Sequence, residues 1–557
     1  VLVADIRPGS NGSSPSEITN VNGTLFFRAD DGTNGRELWK SDGTTAGTVL
    51  VADINPGSGD ALLGSLANVD GNLWFTADDP AAGREPFLLS LTTPNGIWDG
   101  DNVVFDDGTG QFVGSWEDAA NWSNDVLPDA VTDVVIDAAG TTILLSQNQT
   151  VQSLALSAGT LTLPGLDFTI GGALNWTGGT LRSGHFPFGG TPGAVDVFGT
   201  TTIDGDVTLD GIEWQLVGDT NWNAGTLFVT NGPIITNNPG ATFTIVGDGD
   251  RAIVNLDDFS SPRFDNLGIV RQTGNGTTTF GVEFNNLAGD PAGRLQADAG
   301  TVLLTKGTNT GTFVGNGTIE IVADYVLDTG TYAFDTLRIS SGVTRVRGTT
   351  DTFAVNQFEL NGGTVELEID AAIGAVTWTA GTLRSNDVRR TLVIGGGTST
   401  ISDGLGAKTL ENIHVVMAGL NTVWSGGDIN LANNAAVAVA AGSTFTIQAD
   451  APLLLQTNVG DTTLFTNRGR ILKVGNNTAQ LDATVFINER DASGGGVLDL
   501  QQGTLLIGGS GGGAGGSVWF DIAGPMADEQ YDRFVVEGLA GLDLSNASLN
   551  LVLTGGF

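Results

Sequence analysis

Short apolar runs recur along most of this chain, and many of them follow a glycine-threonine pair. The phrase Gly-Thr-apolar-x-apolar begins at Gly159, Gly179, Gly225, Gly300, Gly317, Gly363, Gly381 and Gly503. Alternating apolar and polar side chains are typical of a β-strand that buries one face, and glycine suits the tight corner in front of it. The pattern therefore predicts an all-β chain built from many short strands.

The spacing of these phrases indicates how the strands are arranged. Neighbouring phrases, such as those at Gly159 and Gly179, at Gly300 and Gly317, and at Gly363 and Gly381, recur at intervals of roughly 20 residues. Parallel strands stacked ~4.8 Å apart explain such an interval, so we predict an elongated parallel β-solenoid (β-helix) on the order of 90 Å long. An antiparallel meander with Asn-Gly turns is the competing interpretation.

The predicted solenoid contains a tandem duplication of about 200 residues. Trp222 follows Trp176 by the same interval by which Trp424 follows Trp378. Each tryptophan opens a similar phrase, such as Trp176-Thr-Gly-Gly-Thr. The interval within each pair fits two larger turns of the solenoid. Repeated units of this kind bury their apolar faces against one another.

Asparagines flank several of these strands. Asn266, Asn286, Asn467 and Asn488 precede or end them, and the stretch 266–274 reappears as 467–475. In a solenoid, corner asparagines can stack in ladders or adopt left-handed turns. Both arrangements remain open at this point.

Residues 1–92 carry a different repeat, with a period of about 48 residues. Residues 3–6 (Val-Ala-Asp-Ile) return as residues 51–54, and residues 35–37 (Gly-Arg-Glu) return as residues 83–85. Runs of β type between Pro-Gly, Asp-Gly and Asn-Gly turns predict about four strands per period. This length matches a propeller blade, and two units are too few to close a ring.

Five segments follow from these repeats. They are the two N-terminal repeats (1–92), an aromatic-rich junction or cap (93–145), two solenoid units (146–350 and 351–516) and a small C-terminal β module (517–557). The cap covers strand edges and core that the first turn of a solenoid would otherwise expose. The glycine-rich run 508–516 is interpreted as a hinge. We expect both ends to be cuts from a longer polypeptide.

Composition narrows the class of protein. Among 557 residues, 62 Asp and Glu against 23 Lys and Arg give a formal charge of −39. This charge repels phosphate and anionic lipid, so we expect neither nucleic-acid nor membrane-surface partners. No apolar run approaches the ~18 residues of a membrane helix, so we expect no direct membrane insertion. It favours divalent cations, although acidic residues also keep a large β protein soluble. The absence of cysteine excludes disulfides, thiolate metal sites and cysteine nucleophiles.

The acidic residues include candidate metal ligands. Asp99, Asp101, Asp106, Asp248 and Asp250 are spaced as calcium ligands often are, which makes calcium a candidate cofactor. Neither Asp-Gly-Asp run is completed to the full loop of a calcium-binding hand. Asp-Gly is also common in β-turns, which is the competing interpretation.

Catalytic motifs are not found. The two histidines, His185 and His414, lie far apart in the sequence, and Glu213 occupies the position that corresponds to His414 in the first unit. We therefore expect a structural role for both and predict that the chain is not an enzyme.

The four repeated tryptophans are candidate glycan-stacking residues. An exposed indole at Trp176, Trp222, Trp378 or Trp424 could stack on a sugar, which would suit an adhesin. A tryptophan at a fixed position before a glycine corner is more often a packing residue. The two interpretations predict different exposure of the rings.

Three stretches resemble parts of giant bacterial exoproteins and adhesins. Glu37-Leu-Trp-Lys-Ser-Asp-Gly-Thr resembles their ELW-x-x-DGT repeat, which the second copy has lost at residues 85–90. Residues 93–145 look like the segment before their solenoid regions, and residues 531–538 (Tyr-Asp-Arg-Phe-Val-Val-Glu-Gly) resemble the ending of autotransporter-like, filamentous-haemagglutinin-like passengers. The resemblance implies a large bacterial protein, extracellular or at the cell surface, and no established chemistry.

We predict a non-catalytic, secreted structural or adhesive protein that forms a stalk, surface filament or matrix component. Self-association into filaments or binding to surface glycans would act through repeated surfaces. The alternative is a carbohydrate-binding or polysaccharide-lyase-like β-helix, which needs Asp and Arg side chains that converge in a groove. Arg251 and Arg263 are the cations nearest to the Asp248/Asp250 and Asp257/Asp258 clusters.

Overall fold

The computed structural model describes residues 2–21, 24–41, 43–45, 47–69, 72–80, 82–89, 95–107, 110–184, 191–289, 293–348, 353–404, 406–448, 452–457, 461–483, 485–488, 496–501, 504–508, 517–521, 533–537 and 549–552. These residues form β-strands and two 3-10 helices, and no α-helix occurs among them, so the all-β prediction is confirmed. The chain divides into unit 1 (Val1–Ile97 and Val131–Val134) and unit 2 (Trp98–Ala130 and Val135–Phe557).

The N-terminal part of the chain contains the first strands. They are β1 (Ser16–Val21), β2 (Thr24–Asp30), β3 (Arg36–Ser41), β4 (Val49–Ala52), β5 (Gly64–Val69), β6 (Asn72–Asp79), β7 (Gly83–Leu89) and β8 (Asn95–Ile97).

The next part of the chain begins with two short strands and two 3-10 helices, Ala119–Asn121 and Ser123–Asp125. The strands up to residue 346 are β9 (Val104–Asp106), β10 (Gln111–Ser115), β11 (Asp133–Leu144), β12 (Gln149–Val151), β13 (Ser153–Thr162), β14 (Asp167–Ile170), β15 (Leu174–Trp176), β16 (Thr180–Arg182), β17 (Ala194–Val197), β18 (Thr201–Asp204), β19 (Val207–Asp210), β20 (Glu213–Leu216), β21 (Thr220–Ala224), β22 (Leu227–Thr230), β23 (Ile234–Asn237), β24 (Thr242–Ile245), β25 (Arg251–Asn255), β26 (Arg263–Asn266), β27 (Ile269–Gln272), β28 (Thr277–Asn286), β29 (Arg294–Ala297), β30 (Thr301–Asn309), β31 (Thr312–Ile321), β32 (Tyr325–Leu327), β33 (Thr331–Ile339) and β34 (Val343–Val346).

The remaining strands are β35 (Phe353–Leu360), β36 (Thr364–Leu367), β37 (Ala371–Ile373), β38 (Ala375–Trp378), β39 (Gly381–Arg384), β40 (Arg390–Ile394), β41 (Thr398–Ile401), β42 (Lys408–Glu411), β43 (Ile413–Met417), β44 (Asn421–Trp424), β45 (Ile429–Ala432), β46 (Ala436–Val439), β47 (Thr444–Gln448), β48 (Leu453–Thr457), β49 (Leu464–Asn467), β50 (Arg470–Val474), β51 (Thr478–Asp482), β52 (Val485–Asn488), β53 (Val497–Leu500), β54 (Thr504–Gly508), β55 (Ser517–Asp521), β56 (Arg533–Glu537) and β57 (Leu549–Val552).

Unit 1 contains two antiparallel sheets, one from each copy of the N-terminal repeat. The first sheet has the order β1-β2-β3-β4, and the second has the order β5-β6-β7. Side chains alternate between the two faces of each strand. Phe26 and Leu38 of the first sheet are therefore buried together with Leu73 and Phe75 of the second in one apolar core. This core joins the two repeats.

Unit 2 is a barrel-like sheet of mostly parallel strands that closes on itself. Its strands fall into three ladders, and the chain visits the ladders in turn, so that one strand from each makes a circuit. Ladder A includes β14-β17-β20-β23-β26, ladder B includes β15-β18-β21-β24-β27, and ladder C includes β16-β19-β22-β25-β28. Longer strands such as β28, β30 and β31 bend between two ladders at a shift in register. From β14 to β28, strands that are three apart in chain order, such as β14 and β17, are thus neighbours in space.

The ladders continue to the last described strands. Ladder B gives way to a six-stranded sheet of order β37-β40-β43-β46-β49-β52, which takes its place in chain order. Ladders A and C continue through β54-β56 and β53-β55-β57, which pair in parallel. The described strands of the predicted C-terminal module therefore extend ladders that begin much earlier in the chain. The proposed glycine-rich hinge lies outside the described residues after Gly508.

Register follows the spacing of the glycine-threonine phrases. The threonine pairs that face each other across parallel strands are Thr160 with Thr180, Thr301 with Thr318, and Thr364 with Thr382. Each pair joins two phrases whose interval was used to predict stacking. The parallel arrangement of these phrases is confirmed, and an antiparallel meander does not describe them.

The interval within each tryptophan pair covers two circuits. The pairs along the strands are Trp176 with Ile203, Ile203 with Trp222, Trp378 with Ile401, and Ile401 with Trp424. The first tryptophan pair lies on ladder B, but the second lies on ladder C. Asn266 likewise lies on ladder A, and Asn467 lies on the six-stranded sheet. The duplication therefore moves each feature by one ladder and does not span a whole number of circuits.

Asparagine ladders stabilise one corner in each copy of the duplication. Asn237 donates its Nδ2–H to Asn266 Oδ1 at 2.7 Å, Asn266 to Asn286 at 2.7 Å, and Asn286 to Asn309 at 2.6 Å. In the second copy Asn467 donates to Asn488 at 2.7 Å. The Nδ2 atoms that donate in these ladders also donate to main-chain carbonyl oxygens. The ladder form of the asparagine prediction is confirmed.

Substitution of Asn266 by alanine tests this ladder. The change removes the donor to Asn286 Oδ1 and the acceptor for Asn237 Nδ2 while both remain buried. We expect a loss of about 1–3 kcal/mol in the free energy of unfolding, measured from urea titrations. Asn175→Ala, at an exposed position on β15, is the control and should change stability by less than about 0.5 kcal/mol. Equal midpoints for both variants would contradict the role of the ladder.

Candidate functional site

The four repeated tryptophans lie in the interior. Trp176, Trp222 and Trp424 are 0% exposed and Trp378 is 4% exposed. Stacking on a glycan needs a ring face open to solvent. Trp222 and Trp424 pack near the aromatic rings of Phe243 and Phe445, with ring centroids 6.1 Å apart in each case. The structure thus presents these rings to the core and not to a ligand.

The indole N–H groups separate the tryptophans into two types. Trp222 donates to the carbonyl oxygen of Ala224 at 3.1 Å, and Trp424 donates to that of Gly427 at 2.8 Å. The Nε1 atoms of Trp176 and Trp378 are buried without a hydrogen-bond partner. Tryptophans that correspond between the two copies therefore behave alike. The duplication thus extends to which indoles form a hydrogen bond, although the acceptors Ala224 and Gly427 are not at corresponding positions.

Aspartates at the corners have a structural task that the sequence does not reveal. Each stands directly before a strand and accepts a backbone N–H from the corresponding corner of the next circuit. The donor-acceptor pairs are Thr226 to Asp206, Thr242 to Asp219, Thr277 to Asp250, Val343 to Asp324, Thr391 to Asp370, and Leu454 to Asp428, at 2.7–2.9 Å. A carboxylate that accepts an amide hydrogen bond gains more than a neutral acceptor. These caps account for part of the acidic excess.

The calcium candidates are not gathered into one site. Asp250 caps Thr277 N–H at 2.7 Å, and Asp248 accepts from the backbone N–H and the Nδ2–H of Asn275 at 2.9 and 3.1 Å. Asp99 and Asp101 are exposed, and Asp106 is half-buried. Within the described part of the chain, no group of three or more His, Cys, Asp or Glu side chains is arranged to hold a metal.

Arg251 and Arg263, the arginines nearest in sequence to the Asp248/Asp250 and Asp257/Asp258 clusters, form contacts with other groups. The guanidinium of Arg251 donates to the main-chain carbonyl oxygens of Asn223, Val246 and Asp250. Arg263 forms an ion pair with Asp265 on the same strand at 2.8 Å. Neither contact reaches the carboxylates of the two clusters. A groove in which Asp and Arg side chains converge is therefore not formed by these residues.

His185 lies outside the described residues. His414 lies on β43, where burial and the neighbouring Arg389 and Arg468 lower its pKa. A lowered pKa keeps the imidazole neutral near pH 7.

Two buried side chains at equivalent positions tie a corner together in each copy. Gln272 donates its Nε2–H to the carbonyl oxygens of Gly274 and Gly276 at 3.4 and 2.6 Å. Lys473, at the matching position of the second copy, donates its ammonium to those of Val474 and Gly475 at 3.1 and 2.6 Å. The amide of Gln272 and the ammonium of Lys473 thus donate to main-chain carbonyl oxygens at the corresponding corner of each copy. The buried lysine therefore stabilises the local backbone.

An unexpected pair of carboxylates lies in unit 1. Glu37 is fully buried, and its Oε2 accepts the Ile54 backbone N–H at 2.8 Å. Its Oε1 and the Oδ1 of Asp53 are buried without a hydrogen-bond partner. Asp53 lines an open cleft of about 550 Å³ whose other walls include Phe75 and Phe87. In the sequence, the one sign of this buried carboxylate is that Glu37 directly precedes the apolar residues Leu38 and Trp39 of β3.

Burial raises the pKa of Glu37 to about 7. The backbone N–H groups of Ile54 and Asn55 oppose this rise, and the carboxylate of Asp53 adds to it. Glu37 therefore changes charge near neutral pH, whereas an exposed glutamate does so near pH 4.

Searches against protein-family models, curated proteins and solved structures find no match to this chain. In the described residues, no helix has the length and apolar content needed to cross a membrane.

Asp250→Ala distinguishes an aspartate cap from a calcium ligand. Loss of the acceptor for Thr277 N–H should lower the free energy of unfolding by about 1 kcal/mol. Because the carboxylate serves the backbone, we expect the same loss in calcium and in chelator, measured by urea titration. Asp258→Ala, at an exposed position nearby, is the control. A loss seen only with calcium present would instead assign the residue to a metal site.

Glu37→Gln tests the raised pKa. Between the ordinary value of 4.5 and about 7 the folded protein binds a proton that the unfolded chain does not, so the stability of unit 1 falls as pH rises through this window. The slope is at most about 1.4 kcal/mol per pH unit. Glutamine carries no such proton, so the variant should lack this slope when calorimetric unfolding is followed across the window.

The matched control is Glu85→Gln, the counterpart of Glu37 in the second repeat, which is exposed. It should keep the pH dependence of the parent protein. If Glu37→Gln follows the parent across the window, Glu37 does not titrate there.

Proposed function

We propose that this chain is a non-catalytic structural or adhesive protein of the bacterial exterior, in which unit 2 is an elongated parallel β-solenoid that serves as a stalk, surface filament or matrix component. The circuits of three strands would be its turns. Localisation outside the cell rests on the ELW-x-x-DGT resemblance.

The observation that carries the proposal is the filled interior of the ladders. Along ladder A, Phe168, Val195, Trp214 and Ile235 follow one another in paired positions, and each is at most 1% exposed. A space filled by side chains from circuit to circuit has no room for a substrate. What remains for function is the outer surface, which suits a load-bearing or display role.

The outward side of the ladders supports the same proposal because its charges are arranged for cohesion. Arg338 lies between Glu320 and Glu359 on adjacent strands of ladder C, at 3.2 and 2.6 Å. On ladder A, Glu366 lies in the same way between two arginines, at 3.6 Å from Arg345 and 2.8 Å from Arg384. Opposite charges directly across a strand pair stabilise a sheet, and like charges would destabilise it. These arginines are engaged by the fold.

Electron microscopy of the native material and a cleavage assay on acidic polysaccharides test the proposal. We expect elongated particles or regular filaments and no release of sugar. Compact particles would contradict the solenoid, and turnover would favour the lyase-like alternative.

Trp222→Ala separates a scaffold from a glycan-stacking site. Truncation of this buried indole should cost about 3–5 kcal/mol of stability and lower the melting temperature. Binding on a glycan array, if the parent shows any, should persist below the new melting temperature. Unchanged stability with lost glycan binding would overturn the core assignment, and Asn221→Ala on the outward side of the same strand is the control.

A further inference from the structure

The two repeats of unit 1 make unequal use of equivalent faces. The apolar side chains Val21, Phe26 and Leu38 on the rear face of the first sheet are covered by the second repeat, and each of the three is 1% exposed. The equivalent positions of the second sheet are Val69, Trp74 and Pro86. There Val69 is 45% and Trp74 is 42% exposed, and Pro86 is exposed as well. The second repeat thus has an open rear face.

A further side chain makes the open rear face more apolar than its covered counterpart. Leu88 lies directly opposite Trp74 across the β6–β7 pair and is 52% exposed. The equivalent residue of the first sheet is Lys40, which lies opposite Phe26. A leucine beside an open tryptophan favours a partner surface, because neither side chain gains from contact with water.

The front face shows the opposite asymmetry. Leu73 on the front of the second sheet is 0% exposed, because the first repeat covers it. Its counterpart Leu25 on the first sheet is 40% exposed. Ile18 on the first sheet is 62% exposed, whereas its counterpart Leu66 packs against the core that joins the repeats.

Part of the front face of the first repeat is covered by other residues of the same repeat. Phe27 and Trp39 lie in a small cluster with Ile6 and Leu50 of the same repeat and are nearly buried. The open front face is therefore the part of the first sheet that carries Ile18 and Leu25.

We infer that the open rear face of the second repeat binds the open front face of the first repeat in another copy of this chain. The contact would repeat, between two copies, the contact that β1–β4 make with β5–β7 within one copy. The covered faces of unit 1 identify this partner, because within one chain the rear face of the first sheet packs against the front face of the second sheet. An exposed apolar patch with a complementary partner surface marks an interaction site.

This contact is heterologous, since the two surfaces differ. In a pair of bound copies, one copy keeps an open front face and the other keeps an open rear face, so further copies can add at both ends. The assembly is a closed ring if the rotation closes, and otherwise an open filament. The inference rests on the proposed scaffold function for its biological meaning. The contact itself involves residues of unit 1 alone.

Sedimentation velocity of the whole chain over a hundredfold range of concentration tests the inference. The parent protein should show a sedimentation coefficient that rises with concentration. Trp74→Asp places a charge on the open rear face, and Leu25→Asp places a charge on the open front face. Each variant alone should therefore remain monomeric. Both side chains are already well exposed, so the repeats should still fold, which circular dichroism verifies. Ile18→Asp replaces Leu25→Asp if that variant does not fold.

A mixture of the two variants gives the sharpest result. Trp74→Asp keeps its front face and Leu25→Asp keeps its rear face, so the mixture should form a one-to-one dimer and nothing larger. Phe259→Asp is the matched control, since Phe259 is fully exposed in unit 2 and lies outside the contact. This variant should associate as the parent does.

Three outcomes would overturn the inference: a parent protein that stays monomeric throughout, a mixture that forms no dimer, or loss of association in Phe259→Asp as well. A failure of the scaffold proposal is seen elsewhere, in the particle shape and the cleavage assay. The two results are therefore independent.

Discussion

In-register parallel pairing is the constraint on which unit 2 depends. Within a ladder, a strand side chain lies directly beside the side chain with which it is paired in the next circuit, so a residue type is tolerated there only if it suits its neighbour. Asparagine satisfies this condition because it donates and accepts at once, as in the series from Asn237 to Asn309. Charged residues satisfy it by alternating, as Arg338 does between two glutamates. Aromatic rings satisfy it by packing against each other, stacked as Phe264 and Phe284 are or edge to face as Phe313 and Tyr332 are.

Part of this arrangement could be predicted from the sequence, because local chemistry determines it. A glycine corner followed by threonine and an apolar run fixes where a strand begins, so the interval between Gly300 and Gly317 predicts the pairing of Thr301 with Thr318. The duplication was equally visible, since the tryptophans and their glycines stand at fixed spacing. The ladder through Asn266 followed from the same reasoning.

Other features needed the structure, because they depend on which circuit lies beside which. The aspartate caps have no constant period in the sequence, since the distance along the chain from Asp250 to its donor differs from that of Asp324. The Asp-Gly-Asp spacing at Asp248 predicted a calcium ligand, because the sequence does not show that the carboxylates of Asp248 and Asp250 accept backbone N–H groups from the next circuit. The burial of Glu37 depends on residues that follow β4 in the chain, such as Ile54, whose backbone N–H its carboxylate accepts. Its counterpart Glu85 is exposed although both follow the same Gly-Arg pair.

The displacement of the duplicated copy by one ladder bears on how such a chain can evolve. If whole circuits were the unit of gain and loss, Trp378 would lie on the same ladder as Trp176, but it lies on the next one. The two copies thus place corresponding residues on different ladders, and the offset between them amounts to a single strand with its corner. A gain or loss of one strand moves every later strand to the next ladder, by a third of a circuit. Any surface motif carried by both copies consequently faces a different direction in each, which lets one ancestral patch diversify into two independent ones.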